Sequence, residues 1–379
     1  MKCPHCGSDR VVRYGKDEFA RQRWLCKNET CGRRFTADED KGVDEKNPAE
    51  FAEENAKSRR LGQENQGLKS RIRQLEDALY MRAETEKGLE SALKLRHEPF
   101  VLPAHEYQND ATVMLNLSDL HVGCVVEPDR VLGINEYNKH IAKARLIRLF
   151  SETVAFGRFM KCGRLVINLL GDMVHGEIHK SALDLNAPDA IIYLYDLLME
   201  CIRGAAEWFS EISLECVVGN HGRTGVKMES VAVALDSYEH ILYEFLRRGL
   251  EPSGVCVNVP DAQYLLSEYS GVRVLILHGH SIKGGNGMVD FPAMGVVRNS
   301  NRMQGMFRNI GADFDLAIMG HFHTFVNIPD NMNRRVIINP SLIGADEYAI
   351  NALAKAYPPA QTVMLLNAGN LEIVKEIRL

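Results

Sequence analysis

Between residues 113 and 323 of this 379-residue chain, five short apolar runs end abruptly in aspartate, asparagine or histidine. Val113-Met114-Leu115-Asn116-Leu117 leads into Ser118-Asp119-Leu120-His121, and Val166-Ile167-Asn168-Leu169-Leu170 into Gly171-Asp172-Met173-Val174-His175. Cys216-Val217-Val218 precedes Gly219-Asn220-His221, and Val274-Leu275-Ile276-Leu277 precedes His278-Gly279-His280. The fifth run, Leu316-Ala317-Ile318-Met319, precedes Gly320-His321-Phe322-His323. Runs of this length, rich in branched residues, suit strands covered on both faces, and the amphipathic stretches between them suit crossover helices. Residues 105–379 therefore read as an α/β domain. Its candidate site lies in the loops at the carboxyl ends of the strands.

Imidazole and carboxylate donors gathered in this way suit Mn²⁺, with Fe or Zn²⁺ as alternatives, rather than Ca²⁺. Two such ions about 3.5–4 Å apart clamp a phosphate and ready a water for in-line attack, and one carboxylate must lie between them. Asp172 is the natural candidate for that carboxylate. A neutral amide such as Asn220 limits the negative charge of the centre and keeps the ions electrophilic.

The order DxH, GDxx, GNH, H and GHxH resembles that of the calcineurin-like metallophosphoesterase superfamily over roughly residues 111–345. The resemblance implies a four-layer α/β/β/α sandwich. It also implies a first metal held by Asp119, His121, Asp172 and His323, and a second held by Asp172, Asn220, His278 and His321. By the same resemblance His221 contacts the scissile phosphate and protonates the leaving group, a role that imidazole's near-neutral pKa suits. His278 is the ligand in preference to His280, which orients a ligand or touches substrate. His175 reads equally as a substrate contact or an ordinary histidine at a helix start, and Cys124 as a packing residue. The GDxxH form of the second motif is similar to that of the DNA-repair exonuclease branch. The third motif departs from the family: Gly222 stands where Asp or Glu normally follows the histidine to orient its imidazole and raise its basicity. Either Arg223 binds a phosphate oxygen in its place, or a carboxylate comes from elsewhere in the chain. The glycine-rich stretch 279–287 reads as a mobile loop or a close backbone approach to phosphate.

Residues 1–40 form a different unit. Cys3 and Cys6 make one knuckle, Cys26 and Cys31 another, a spacing that suits tetrahedral Zn²⁺. So small a unit cannot bury enough apolar surface to fold unaided, and the metal supplies much of its folding energy. Val11–Lys16 and Arg21–Cys26 read as strands. The pattern of cysteine pair, VVRxGK, QRxxC and a final RxF resembles the zinc ribbons that begin insertion-sequence transposases. Residues 1–36 carry nine Lys/Arg against four Asp/Glu, a local net of +5, interleaved with Tyr14, Phe19, Trp24 and Phe35. Cationic and aromatic side chains in alternation suit phosphate contacts and base stacking, so nucleic acid, DNA ahead of RNA, is the expected partner; protein docking is the alternative.

Residues 41–98 read as a helical linker. Leu61, Leu68 and Leu75 fall seven apart, with Ile72, Leu79, Leu89 and Leu93 in the same frame, a heptad seam expected to pair two copies of the chain through residues 61–93. Asn65, Arg82 and Glu86 interrupt the seam, and Gly62, Gly67 and Gly88 weaken the helix; packing of the stripe on the chain's own catalytic domain is the alternative.

Composition narrows the field. Charged residues at 25% and a net charge of -5 fit an ordinary globular chain and name no polyanionic partner. No apolar run reaches the ~18 residues a membrane-spanning helix needs, and the first residues lack the apolar core of a signal peptide, so a cytoplasmic protein is expected. Nine cysteines, an odd number, argue against a fully paired disulfide framework. The reading is a dinuclear-metal phosphodiesterase acting as a DNA nuclease. The alternatives are a phosphatase or phosphodiesterase for small or protein substrates, and an adaptor with a decayed site.

Overall fold

The structure, a computed structural model, describes residues 1–17, 21–36, 56–73, 75–76, 97–104, 110–176, 178, 181–225, 234–282, 292–329 and 334–379. Backbone contacts divide the chain into two compact units, Met1–Ala78 and Leu79–Leu379.

In the first unit, β1 (Val11–Lys16), β2 (Gln22–Cys26) and β3 (Arg34–Thr36) form an antiparallel sheet. Cys3 and Cys26, the latter ending β2, are buried. Residues 56–73 are helical. Leu61, Leu68 and Ile72 of the heptad seam lie on this helix, and they and Leu75 are each more than half exposed. Leu79, Arg82, Glu86, Gly88, Leu89 and Leu93 lie outside the described residues, as does Phe19 of the ribbon.

The second unit contains β4 (Thr112–Leu117), β5 (Cys124–Val125), β6 (Arg164–Leu169), β7 (Ala182–Leu183), β8 (Glu211–Cys216), β9 (Cys256–Asn258) and β10 (Tyr264–Tyr269). It continues with β11 (Val272–Leu277), β12 (Leu316–Met319), β13 (Val326–Pro329), β14 (Arg335–Ile338), β15 (Ala360–Asn367) and β16 (Asn370–Arg378). A 6-stranded sheet has the order β16-β15-β4-β6-β8-β9, and a 5-stranded sheet the order β10-β11-β12-β14-β13. The centre of each is parallel: β4, β6, β8 and β9 in the first, β11, β12 and β14 in the second. Antiparallel strands close the β16-β15 edge of the first and both edges of the second.

Three long helices of this unit combine a side-chain cap with an apolar stripe. Asn138, Asn186 and Ser237 accept backbone N–H bonds at the starts of helices Lys139–Met160, Ala187–Ala205 and Tyr238–Leu250. Their buried residues join the large sheet in one apolar cluster, which includes Leu146, Leu149, Leu194, Ile202, Leu242 and Leu246. A second cluster draws side chains from both sheets, among them Met114, Val166, Ile276, Ile318 and Met364. A third joins the smaller sheet to helix Ala293–Arg308 through Val296, Phe307 and Phe314.

Two departures from the apolar pattern have physical reasons. Strand β8 stops at Cys216, yet Val217 and Val218 stay buried, because Val217 N–H donates to the Leu169 carbonyl at 2.9 Å and its side chain joins the cluster between the sheets. Asn116 and Asn168 sit in otherwise apolar strands because they bond to one another at 2.7 Å and, through Asn116, to Thr362 at 2.9 Å. Asn339 extends this network to Ser118 at 2.9 Å and Gln361 at 3.0 Å. This buried amide network braces the base of the loop that carries Asp119.

Candidate metal centre

The five loops converge at the carboxyl ends of the parallel strands, three from the larger sheet and two from the smaller. Asp119 and His121 follow β4, Asp172 follows β6, Asn220 follows β8, His278 follows β11, and His321 and His323 follow β12. Each chain segment must turn sharply there. Asp119, His121, Asp172, His321 and His323 all have φ between 49° and 71°, and they are half of the non-glycine residues with positive φ among those described. Strain of this kind persists where surrounding structure fixes it, and it clusters at functional sites. Gly171 has φ 87°, and a side chain there would strike the Gly219 backbone. A side chain on Gly219 would strike Asp172 in turn.

Three donor groups result, and in each, one atom per residue falls within 4.8 Å of the others: Asp119, His121 and His323; Asp172, His278 and His321; and the all-histidine set His121, His175 and His221. His121 Nε2 and His323 Nε2 are 3.4 Å apart, and His323 Nε2 lies 3.3 Å from Asp119. Asp119 also accepts the His321 backbone N–H at 2.9 Å. His278 Nε2 faces Asp172 at 3.1 Å and the Asn220 amide oxygen at 3.2 Å. His278 Nδ1 lies 2.7 Å from the Leu170 carbonyl, which can only accept, so Nδ1 carries the hydrogen and the Nε2 lone pair points at two oxygens. A positive charge must sit between them: a proton when the site is ion-free, or a metal ion in its place. The two groups that include a carboxylate therefore fit a pair of divalent ions, one with Asp119 and one with Asp172.

Charge follows the same pattern. Burial works against the ionised His278, but Asp172 overcomes it and pushes the imidazole up to about 10. Burial, aided by the His278 charge, pushes His321 down to about 3. Asp172 is held well below the usual carboxylate range despite its burial, chiefly by His278 and His221. At neutral pH the ion-free site thus holds a proton at His278 that an entering cation must displace. Because His278 is the raised group, this proton is present from pH 6 to 8 and leaves only near 10. Ion affinity at this site is expected to tighten by about tenfold per pH unit, or about a hundredfold from pH 6 to 8, with proton release on binding. Calorimetric Mn²⁺ titrations in buffers of different ionisation enthalpy measure both; a pH-independent affinity would remove His278 from the ligand set.

His221, of the all-histidine set, lies beside the two carboxylate-bearing groups. Its backbone N–H donates to Asp172 at 2.7 Å, and its Nδ1 lies 3.2 Å from the His175 carbonyl. Nδ1 is therefore the protonated nitrogen, and Nε2 is left for a substrate. This carbonyl helps to orient the imidazole. His175 Nδ1 is 3.4 Å from His121 Nδ1, so His175 braces a ligand on one side and His221 on the other. Arg223 is turned to the backbone, donating to the carbonyls of Asn220 at 2.7 Å and Gly225 at 3.1 Å, where it steadies the third loop. His280 stacks near His278 and His321, and burial with the neighbouring His278 charge pushes it down to about 4. Residues 283–287 of the glycine-rich stretch lie outside the described residues. Cys124 is buried and lines the cavity above the site. That cavity, about 790 Å³, is also lined by His121, Asp172, His175, Asn220, His221, His321 and His323. Arg130, Tyr348, Lys355 and Tyr357 form part of its wall and carry no motif that sequence reading could find.

Sequence reading also missed Glu239. This fully buried residue accepts the backbone N–H groups of Met173 at 2.5 Å and Gly219 at 2.6 Å. Burial and the Asp172 charge push it up to about 8, against those two donors. Its only sequence signal is Ser237-Tyr238-Glu239, which reads as a helix cap followed by an acid in the first turn.

In the ribbon, the four thiol sulfurs lie within 4.8 Å of one another, with Cys3–Cys31 at 3.9 Å and Cys6–Cys26 at 3.6 Å. Zn–S bonds of ~2.3 Å in a tetrahedron place sulfurs about 3.8 Å apart, whereas a disulfide needs about 2 Å. The thiols therefore fit one Zn²⁺. Arg13 stacks over Trp24 at 5.7 Å and Arg34 over Tyr14 at 4.2 Å.

No protein-family model matches the sequence. The SPbeta prophage-derived uncharacterized protein YonJ of Bacillus subtilis (strain 168) is 24% identical over 278 residues, 68% of this chain and 62% of that protein. The chain thus spans less than two thirds of that relative's length. Among solved structures, Vps29 of Entamoeba histolytica in complex with zinc aligns at 12% identity and TM-score 0.33, over 70% of this chain and 98% of that one. A dimetal phosphatase from Danio rerio aligns at 9% identity and TM-score 0.37, over 70% and 98% of the two chains. An archaeal phosphodiesterase aligns at 14% identity and TM-score 0.33, over 70% and 99%. Among the described residues, no helix is long and apolar enough to cross a membrane.

Proposed function

We propose that this chain is a calcineurin-like metallophosphoesterase that hydrolyses phosphodiester bonds, and that it acts as a DNA nuclease brought to its substrate by the ribbon. The observation that carries the reading is the presence of two carboxylate-bearing donor groups, Asp119–His121–His323 and Asp172–His278–His321, whose members His121, His323, Asp172 and His321 line one cavity. Three apolar clusters in succession, helices on the large sheet, sheet on sheet, and small sheet on helix, support the four-layer sandwich.

Asp119, His121, Asp172 and His323 would hold one ion, and Asp172, Asn220, His278 and His321 the other. Bound divalent ions, Mn²⁺ first among them, supply Lewis acidity toward phosphoryl oxygens and a water that is nucleophilic at neutral pH. His221, its Nδ1–H fixed by the His175 carbonyl, would present Nε2 to the scissile phosphate and, as the imidazolium, give its Nε2 proton to the departing oxygen, the neutral ring then regaining a proton from water. The Asp172 carboxylate holds the His221 backbone at 2.7 Å, which ties the proton donor to the centre.

The ribbon's charge and its stacked Arg13–Trp24 and Arg34–Tyr14 pairs support a nucleic-acid strand as its partner. A prophage-derived relative suits a nuclease of a mobile element. The test is Mn²⁺-dependent cleavage of labelled single- and double-stranded DNA beside hydrolysis of bis-p-nitrophenyl phosphate. His221→Ala is expected to slow DNA cleavage by about 10²–10³-fold, and more than the small diester, whose nitrophenolate leaves without a proton. Turnover of the small diester with no cut in any DNA or RNA would sink the nuclease reading and leave a phosphatase or phosphodiesterase with a protein-docking ribbon.

A further inference from the structure

We propose that Glu239, delivered from a helix, occupies the space that the acid of the third motif would fill and positions the loops carrying Asp172 and Asn220. The inference rests on the reading of the site as a two-ion centre. Its first support is steric. Gly222 occupies the place where the related motif has Asp or Glu, and a Cβ on Gly222 would lie 2.6 Å from Glu239 Cγ and 2.9 Å from its carboxyl carbon. Gly222 is absent from the residues with positive φ, so occupied space, not backbone conformation, keeps a side chain out. The room that a motif acid would fill is already filled by an acid.

The second support is the bonding. Glu239 Oε1 takes the N–H of Met173, the residue after Asp172, and Oε2 takes the N–H of Gly219, the residue before Asn220. One carboxylate thus clasps two motif loops that come from neighbouring strands. The helix that brings it is anchored to the same loop, since the Tyr238 N–H donates to the Gly222 carbonyl at 2.7 Å and the Glu239 N–H to Ser237 Oγ at 3.2 Å. Both partners of the side chain are donors, so the ionised carboxylate, the prevailing form above about pH 8, satisfies both, whereas an amide sets its own N–H₂ against one of them. Glu239 touches no reacting atom; it acts through Asp172 and Asn220.

The test uses four full-length forms: wild type, Glu239→Gln, Glu239→Ala, and Gly222→Asp with Glu239→Ala. Glu239→Gln keeps the size and one acceptor, so it serves if the alanine form does not fold. In ion-free protein, amide hydrogen exchange at Met173 and Gly219 is expected to quicken at least about tenfold in both single variants, while amides in β4 and β6 keep their protection. Calorimetric Mn²⁺ titration is expected to show affinity weakened by about 10–100-fold. The double variant, with a carboxylate restored to the vacated space, is expected to recover most of that loss. Unchanged exchange at both amides in Glu239→Gln overturns the clasp, and a double variant no better than Glu239→Ala overturns the replacement. If wild type binds no Mn²⁺, the two-ion reading fails, and the exchange data alone still decide whether Glu239 holds the loops.

Discussion

Asp172→Asn is expected to cut Mn²⁺-dependent hydrolysis of bis-p-nitrophenyl phosphate by about 10⁴-fold, with secondary structure and expression retained. The asparagine keeps the shape of a side chain packed so closely that Gly219 has no room for a methyl group, so the fold is preserved. What it removes is the charge. One Asp172 oxygen faces His278 at 3.1 Å, the other accepts the His221 backbone N–H at 2.7 Å, and the residue is buried. A buried carboxylate surrounded by imidazoles is where a cation is held, and losing it leaves the imidazole donors without a counter-charge. Ion stoichiometry measured by electron paramagnetic resonance is expected to fall along with the rate. Retention of more than about one hundredth of wild-type kcat/KM would show that Asp172 does not lie between two ions.

The second large effect belongs to the ribbon. Cys26→Ser is expected to release one equivalent of zinc and unfold the three-stranded sheet, because structural zinc contributes about 10–16 kcal/mol to units of this kind. Cys26 is buried and lies 3.6 Å from Cys6, so no other side chain can take its place. In the Asp172→Asn background, expected to hold DNA without cutting it, loss of the ribbon is expected to weaken single-strand binding by at least tenfold and to flatten its salt dependence. Hydrolysis of the small diester in the otherwise wild-type chain should not change. Fluorescence anisotropy at several salt concentrations measures the first effect. DNA affinity that survives zinc loss would instead assign nucleic-acid contact to the second unit.

Much of the site could be read from residue order because each donor follows its strand directly. A buried strand leaves an unbroken apolar run, and the left-handed turn after it is tolerated best by Gly, Asn, Asp and His, so motif and turn coincide at Asp119, Asp172 and His321. Glu239 could not be read in this way. Its partners are backbone N–H groups, which leave no mark in the residue pattern, and it reaches them from a helix beyond residues 226–233. The His175 carbonyl that orients His221 is hidden for the same reason. Strands β5 and β7, two residues each, are too short to carry any alternation. The heptad reading of Leu61, Leu68 and Ile72 falls on a helix with those side chains exposed, as a seam for another chain requires, but exposure alone names no partner.

The cluster between the sheets also has a bearing on the chemistry. Each carboxylate-bearing donor group is split: Asp119 and His121 hang from one sheet while His323 hangs from the other, and Asp172 faces His278 and His321 across the same divide. The gap each ion must fit is thus the separation of two independently hydrogen-bonded sheets, set by how Met114, Val166, Ile276, Ile318 and Met364 interlock. The apolar filling works as a spacer gauge. A methylene added or removed there changes the bite of both ion sites at once, although no donor atom has been touched.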